Sequence, residues 1–159
     1  MKSSHLMTVA ALALTLMAPR SAAAQLADRK VLTLEAAKAV LAAAEAEARK
    51  NNWSLSIAVV DSHGELLAFE RMNDAAFTTI AIAQGKAQTA ARYRRTTKSI
   101  DSTVAAGRVQ MMAFPGVTPI EGGVPIIVNG RVVGGVGASG ARSAEDAQVA
   151  MAGAAVVTP

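Results

Sequence analysis

The chain has 159 residues, with 16 Lys and Arg against 12 Asp and Glu, a formal net charge of +4, two histidines and no cysteine. The missing thiols exclude disulfides, thiolate metal ligands and lipid attachment through a processed N-terminal cysteine. Five scattered aromatics, Trp53, Phe69, Phe77, Tyr93 and Phe114, are too few to interleave with a basic surface as stacking platforms, so no nucleic-acid partner is expected.

Lys2 is followed by the apolar run Leu6 to Met17 and then by Ala22-Ala23-Ala24 ahead of Gln25. This pattern predicts a cleaved Sec-type signal peptide over 1–24, a periplasmic or secreted address, and a single domain over 25–159. The run is too short to cross a bilayer, and no later stretch predicts stable membrane insertion. Losing Lys2 and Arg20 with the leader leaves fourteen basic against twelve acidic residues. A net charge near +2 points to no particular partner.

Thr33 predicts the cap of a first helix, in which Leu34, Ala37, Leu41, Ala44 and Ala48 form an apolar stripe and Glu45 pairs with Arg49. "SLSIAVV" and "ELLAFER" predict two strands around the turn "DSHG", where Gly64 supplies a positive φ. A second helix is expected from about Thr78 to Arg95, its Ala76, Ile80, Ala83, Ala87 and Ala90 allowing close approach to a sheet. Ser99 is read as the cap of a short third helix ending near Gly107. "VPIIV" and "RVVGGVGA" predict a second hairpin across Asn129-Gly130, and Ser143 with Asp146 a capping-box start to a last helix presenting Ala147, Ala150, Ala154 and Val157.

Gly135, Gly137 and Gly140 spell GxGxxG within this last hairpin and its exit. A dinucleotide fingerprint needs a parallel βαβ unit and an acidic residue about twenty positions on. Here the strand pairs through a two-residue turn, and only nineteen residues follow Gly140. The motif is therefore not a nucleotide site. Glycines inside a strand instead imply close approach to its backbone, by a helix, a second subunit or a flat ligand. The rigid, irregular "PGVTPIEGGVP" loop leading into the sheet is of the kind that lines sites.

"VVDSHGELLAFERMNDA", "IAQGKAQTA", "FPGVTPIEGGVPIIVNGRVVGGVGASG" and "EDAQVA" resemble the successive motifs of the GlcG/HbpS-like haem-binding family, which includes the C-terminal domains of PduO-type proteins. The resemblance runs from about Thr33 to Val157. It implies an α+β, profilin-like three-layer α/β/α domain with a five-stranded antiparallel sheet. The residues themselves predict four strands, so the fifth is expected within Val109 to Ile120. Homo-oligomers are also implied, octamers built from dimers among them. The resemblance further implies a haem or related tetrapyrrole ligand, in storage, sensing or degradation.

The expected ligand crevice lies beside the glycine-rich strand and the 115–123 loop, at a subunit interface, with Thr118, Glu121, Gly122, Gly123 and Gly135 around it. Lys86 matches the family's "KA-TA" motif; it reads either as a cation snorkelling out of the core or as one meeting Glu121 or a ligand carboxylate. Arg71 carries a fork that suits a carboxylate, and with Lys86 would oppose propionates. His63, the one histidine beyond the leader, is the candidate iron ligand, with Thr118, Tyr93, Met111 and Met112 as alternatives. Met111 and Met112 read otherwise as core fillers, Asp61 as a turn residue and Asp146 as a helix-start acid. The cluster Arg92, Arg94, Arg95 and Lys98 reads as complementing a helix dipole.

No conventional catalytic set assembles from one histidine without cysteine. Whether the protein is an enzyme stays open. Arg71, Lys86 and Glu121 could hold a small organic acid for a catabolic enzyme, and a ligand-free oligomeric partner module is the third reading.

Overall fold

The computed structural model describes residues 27–157; the signal-peptide reading of residues 1–24 lies outside them. The elements are α1 (Leu34–Lys50), β1 (Ser56–Asp61), β2 (Leu66–Arg71), α2 (Thr78–Tyr93), α3 (Thr97–Ala105), a 3₁₀ turn (Val109–Ala113), β3 (Gly123–Val128), β4 (Arg131–Ser139) and α4 (Ser143–Ala154). All pairings are antiparallel, in the order β2-β1-β4-β3. The sheet thus has four strands. The expected fifth is absent among the described residues because Val109–Ala113 winds into the 3₁₀ turn and the chain then passes through Gly116 at φ 67°. The antiparallel β3-β4-β1 ladder also removes the βαβ context that a dinucleotide site requires.

Thr33 caps α1 by accepting the Ala36 amide at 3.2 Å, and Glu45 pairs with Arg49 one turn apart. On one face of the sheet α1 and α4 enclose Val40, Ala44, Ile57, Val59, Ile126, Val136 and Val149. Each of these fully buried valine and isoleucine side chains contributes about 1.5–3 kcal/mol. On the other face α2 lies on Ala58 and Val60. Layers on both sides explain why β1 is buried almost throughout instead of alternating. Two caps differ from the expected ones. Thr96, not Ser99, caps α3, and Arg142 starts α4 with its amide held by Glu145 at 2.9 Å, which frees Asp146 for another partner.

The small side chains of α2 and β4 interlock. A Cβ at Gly135 would stand 2.5 Å from the Ala87 carbonyl, and one at Gly137 would strike the Ala83 carbonyl and the Ala87 amide. Gly134 faces the other layer, where a Cβ would meet the Val60 carbonyl and Leu32. Helix and neighbouring chain fill the space that these glycines leave. The crevice expected beside Gly135 does not exist, because a helix backbone occupies the volume assigned to the planar ligand.

The direction of each element fixes what meets at either end of the sheet. Ser56 pairs with Ser139 at one end of the central ladder and Asp61 with Gly134 at the other. Because α1 runs into the start of β1, its own start lies at the Asp61 end. Since α2 follows β2, its C-terminus returns there too. Both hairpin turns, Ser62–Gly64 and Asn129–Gly130, project from that end.

Candidate functional site

At the Ser139 end, Lys86 is buried within the core, 1 % exposed. Its Nζ donates to the Asp146 carboxylate at 2.7 Å and to the Ala138 carbonyl at 3.0 Å. Asp146, itself 2 % exposed, accepts the Ala141 amide through its other oxygen at 3.0 Å. Burial pushes the Asp146 carboxyl above the ordinary range, against the opposing pull of Lys86. Gly122, at φ 129°, roofs the pair, since a Cβ there would lie 2.6 Å from Nζ. Lys86 therefore neither snorkels to solvent nor meets Glu121 or a ligand. It is closed off by Asp146, whose role as a simple helix-start acid is likewise corrected.

The 115–123 loop is strapped to the helices. Thr118 donates its amide to Thr89 Oγ1 at 2.8 Å and lays its hydroxyl over Gly85, where a Cβ would collide with it. Tyr93 donates to the Pro115 carbonyl at 2.8 Å and stacks on Phe114 with centroids 6.3 Å apart. Glu121 pairs with Lys98 at 2.9 Å, and its amide donates to Asp101. The Gly123 amide donates to Thr97 Oγ1 at 2.8 Å. Arg71 donates to the Ala75 carbonyl at 2.8 Å and lies over the Phe77 ring. Lys86 and Gly122 thus come together, whereas Arg71 and Glu121 each have separate local partners. Met111 is buried, as a core filler should be, but Met112 is exposed.

The Asp61 end is different in kind. A recess of about 880 Å³ opens there, within the roughly 300–1,000 Å³ of small-molecule and cofactor sites. Its lining joins the segment before α1, both hairpin turns and the C-terminus of α2. Ile127 and Val132 supply accessible apolar surface, Val128 and Val133 are buried beneath it, and Ser62 and His63 also line the recess. The His63 side chain is 79 % exposed. The turn that carries it is held firmly: Asp61 Oδ1 accepts the amides of His63 at 2.7 Å and Glu65 at 3.0 Å, and Arg92 Nε donates to the His63 carbonyl at 2.8 Å. Burial pushes the Asp61 carboxyl up, but the Glu65 and His63 amides outweigh it and hold it below its ordinary value. Asp61 Oδ2 lies 3.8 Å from His63 Nδ1 and Ser62 Oγ 3.5 Å from it. Nε2 makes no hydrogen bond among the described residues, and the exposed ring leaves it available as a donor atom for a metal.

Arg29, Lys30, Arg94 and Arg131 also line this recess. Of these, sequence reasoning considered only Arg94, and assigned it to the helix dipole. The signal lay in the topology: two adjacent antiparallel hairpins must present their turns together, so a histidine in one turn and an arginine beginning the strand after the other become neighbours.

The family model described as "Haem degrading protein HbpS-like" matches residues 32–155. The chain belongs to the HbpS-like family. Protein GlcG of Escherichia coli K12 is 50% identical over 109 residues, 69% of this chain and 81% of that protein. A crystal structure of a double mutant of HbpS from Streptomyces reticuli superposes with TM-score 0.78 at 34% identity, covering 83% of this chain and 90% of that one. The crystal structure of a PduOC:heme complex superposes with TM-score 0.74 at 24% identity, over 80% of this chain and 96% of that one, and shares the fold. The mixed α+β architecture with its antiparallel sheet is thus that of the HbpS-like proteins.

Proposed function

We propose that the protein is a secreted haem-binding protein that seats the tetrapyrrole in the recess at the Asp61 end, with His63 as the iron ligand. One observation carries the reading: the only histidine among the described residues lines a recess together with four unpaired cations and an apolar stretch of β3 and β4, in a chain of a family described as haem degrading. The donor set fits the group. A neutral imidazole ligates haem iron, the valine and isoleucine walls suit the macrocycle, and arginines suit propionates. Bound haem supplies a redox-active iron centre. The chain's own contribution is to orient the imidazole through Asp61, to exclude water along the apolar wall and to neutralise the carboxylates.

Export rests on the Lys2 to Ala24 leader pattern. Exposed Phe77, Val109, Met112 and Phe114 favour a homo-oligomer, which light scattering on the purified protein tests. For the haem reading, the test is titration with haemin followed in the Soret band. A saturable shift with one haem per chain is expected, lost in His63→Ala with the far-UV circular dichroism unchanged. An unshifted Soret band in the wild-type protein would refute the reading and favour the organic-acid enzyme or the ligand-free module.

A further inference from the structure

The recess holds more positive charge than the fold needs. Among the described residues there are fourteen Lys and Arg, of which Arg49, Lys50, Lys86, Arg92, Lys98 and Arg142 have a carboxylate within ion-pair distance. Eight have none, and four of those eight, Arg29, Lys30, Arg94 and Arg131, line this one recess, where Asp28 is the single acid. They come from three separate pieces of chain: the segment ahead of α1, the residue after α2 and the first residue of β4. Arg94 by itself complements the C-terminal end of the α2 dipole. That explanation does not extend to Arg29 and Lys30, which precede the positive end of α1, or to Arg131, which begins a strand. Convergence of like charges raises the local positive potential at a Coulomb cost that an anionic ligand removes.

Resting on the haem reading above, we infer that the recess selects its tetrapyrrole by the carboxylate side chains, with Arg94 and Arg131 as the residues that determine this specificity. Their guanidinium forks match carboxylate geometry two bonds at a time, whereas Arg29 and Lys30 add charge from the segment ahead of α1. The apolar ring contributes contact with Ile127 and Val132 but no discrimination. A porphyrin with neutral side chains fills the same space and leaves the guanidinium groups covered without a counter-charge, so it is rejected.

The experiment titrates the purified protein with haemin, with haemin whose two propionates are amidated, and with metal-free protoporphyrin and its bis-amide. Binding is followed by the Soret band and by quenching of Trp53 fluorescence. Haemin is expected to bind about ten- to hundredfold more tightly than its bis-amide, and the gap should shrink as salt is raised. The doubly substituted Arg94→Gln, Arg131→Gln protein is expected to bind both equally weakly, with its melting temperature unchanged. Equal affinity of the wild-type protein for haemin and its bis-amide overturns the inference and leaves the haem reading standing. Metal-free protoporphyrin favoured over its bis-amide, with haemin giving no shifted Soret band, removes the iron ligation and keeps the carboxylate selection. Binding of none of the four sinks both.

Discussion

The two ends of the central β1-β4 ladder gather charge in opposite ways. At the Ser139 end, one cation and one anion are sealed together: Lys86 and Asp146 satisfy each other, the Ala138 carbonyl and the Ala141 amide, under a glycine that leaves them room. At the Asp61 end, four cations and an imidazole surround an open recess, with one acid among them. A sealed pair fixes how α2, β4 and α4 meet and offers nothing to a ligand. An open set of like charges costs folding energy and becomes favourable when an anion arrives. The most family-like residues of the sequence, Lys86, Gly122, Gly123 and Gly135, thus serve architecture, while the candidate site draws on residues that looked ordinary.

Breaking the sealed end should have the largest effect. Lys86→Met strands a buried carboxylate and is expected to cost about 3–5 kcal/mol in urea unfolding. The double change Lys86→Met with Asp146→Leu should recover much of that loss, because no charge is then left unpaired. If the single change costs little, the pair does not clamp α2, β4 and α4 together. Gly137→Val comes next. Its side chain would be forced into the Ala83 carbonyl and the Ala87 amide, and overpacking against helix backbone is expected to cost about 1–3 kcal/mol. At the open end the contrast reverses. His63→Ala should leave stability within about 0.5 kcal/mol, since the exposed ring packs on little, and yet abolish the haem Soret shift. A large loss of stability in that variant would show that the turn histidine is a structural residue.

Much of the fold was legible in the sequence for reasons visible at single residues. Thr33, Gly64 and Asn129-Gly130 mark the start of α1 and both reversals, and each does what its chemistry predicts: Thr33 accepts the Ala36 amide, and Gly64, Asn129 and Gly130 take positive φ. The alternation of elements came through intact. The fifth strand did not, because Val109 to Ile120 is apolar without a period that separates a strand from a 3₁₀ turn followed by irregular chain. The site was harder still. A run of glycines announces close approach without naming what approaches, and here it was the Ala-rich face of α2. Which acid meets Lys86 was equally hidden, because Asp146 lies sixty positions away and its placement depends on Glu145 taking over the helix start. The cations of the recess come from segments far apart in sequence, and only the direction of each element brings them together.

The smallest effect expected concerns the turn that presents His63, and it sharpens the comparison by asking whether the open end is itself built firmly. Asp61 accepts two amides, and its carboxyl is held below the ordinary value despite partial burial. A carboxyl whose folded pKa is depressed adds stability that is fully present above the unfolded value, near 4, and is lost as pH falls through the folded value. The group is partly solvated, so its contribution is expected to be only about 0.5 kcal/mol after screening. The effect should therefore show locally rather than globally. Exchange of the His63 and Glu65 amides, measured by NMR, should quicken as pH is lowered below about 4 relative to the intrinsic rate. Asp61→Asn should remove that acid limb while leaving exchange within β1 unchanged. Amides that stay equally protected through this range would mean that Arg92, through the His63 carbonyl, holds the turn without help from Asp61.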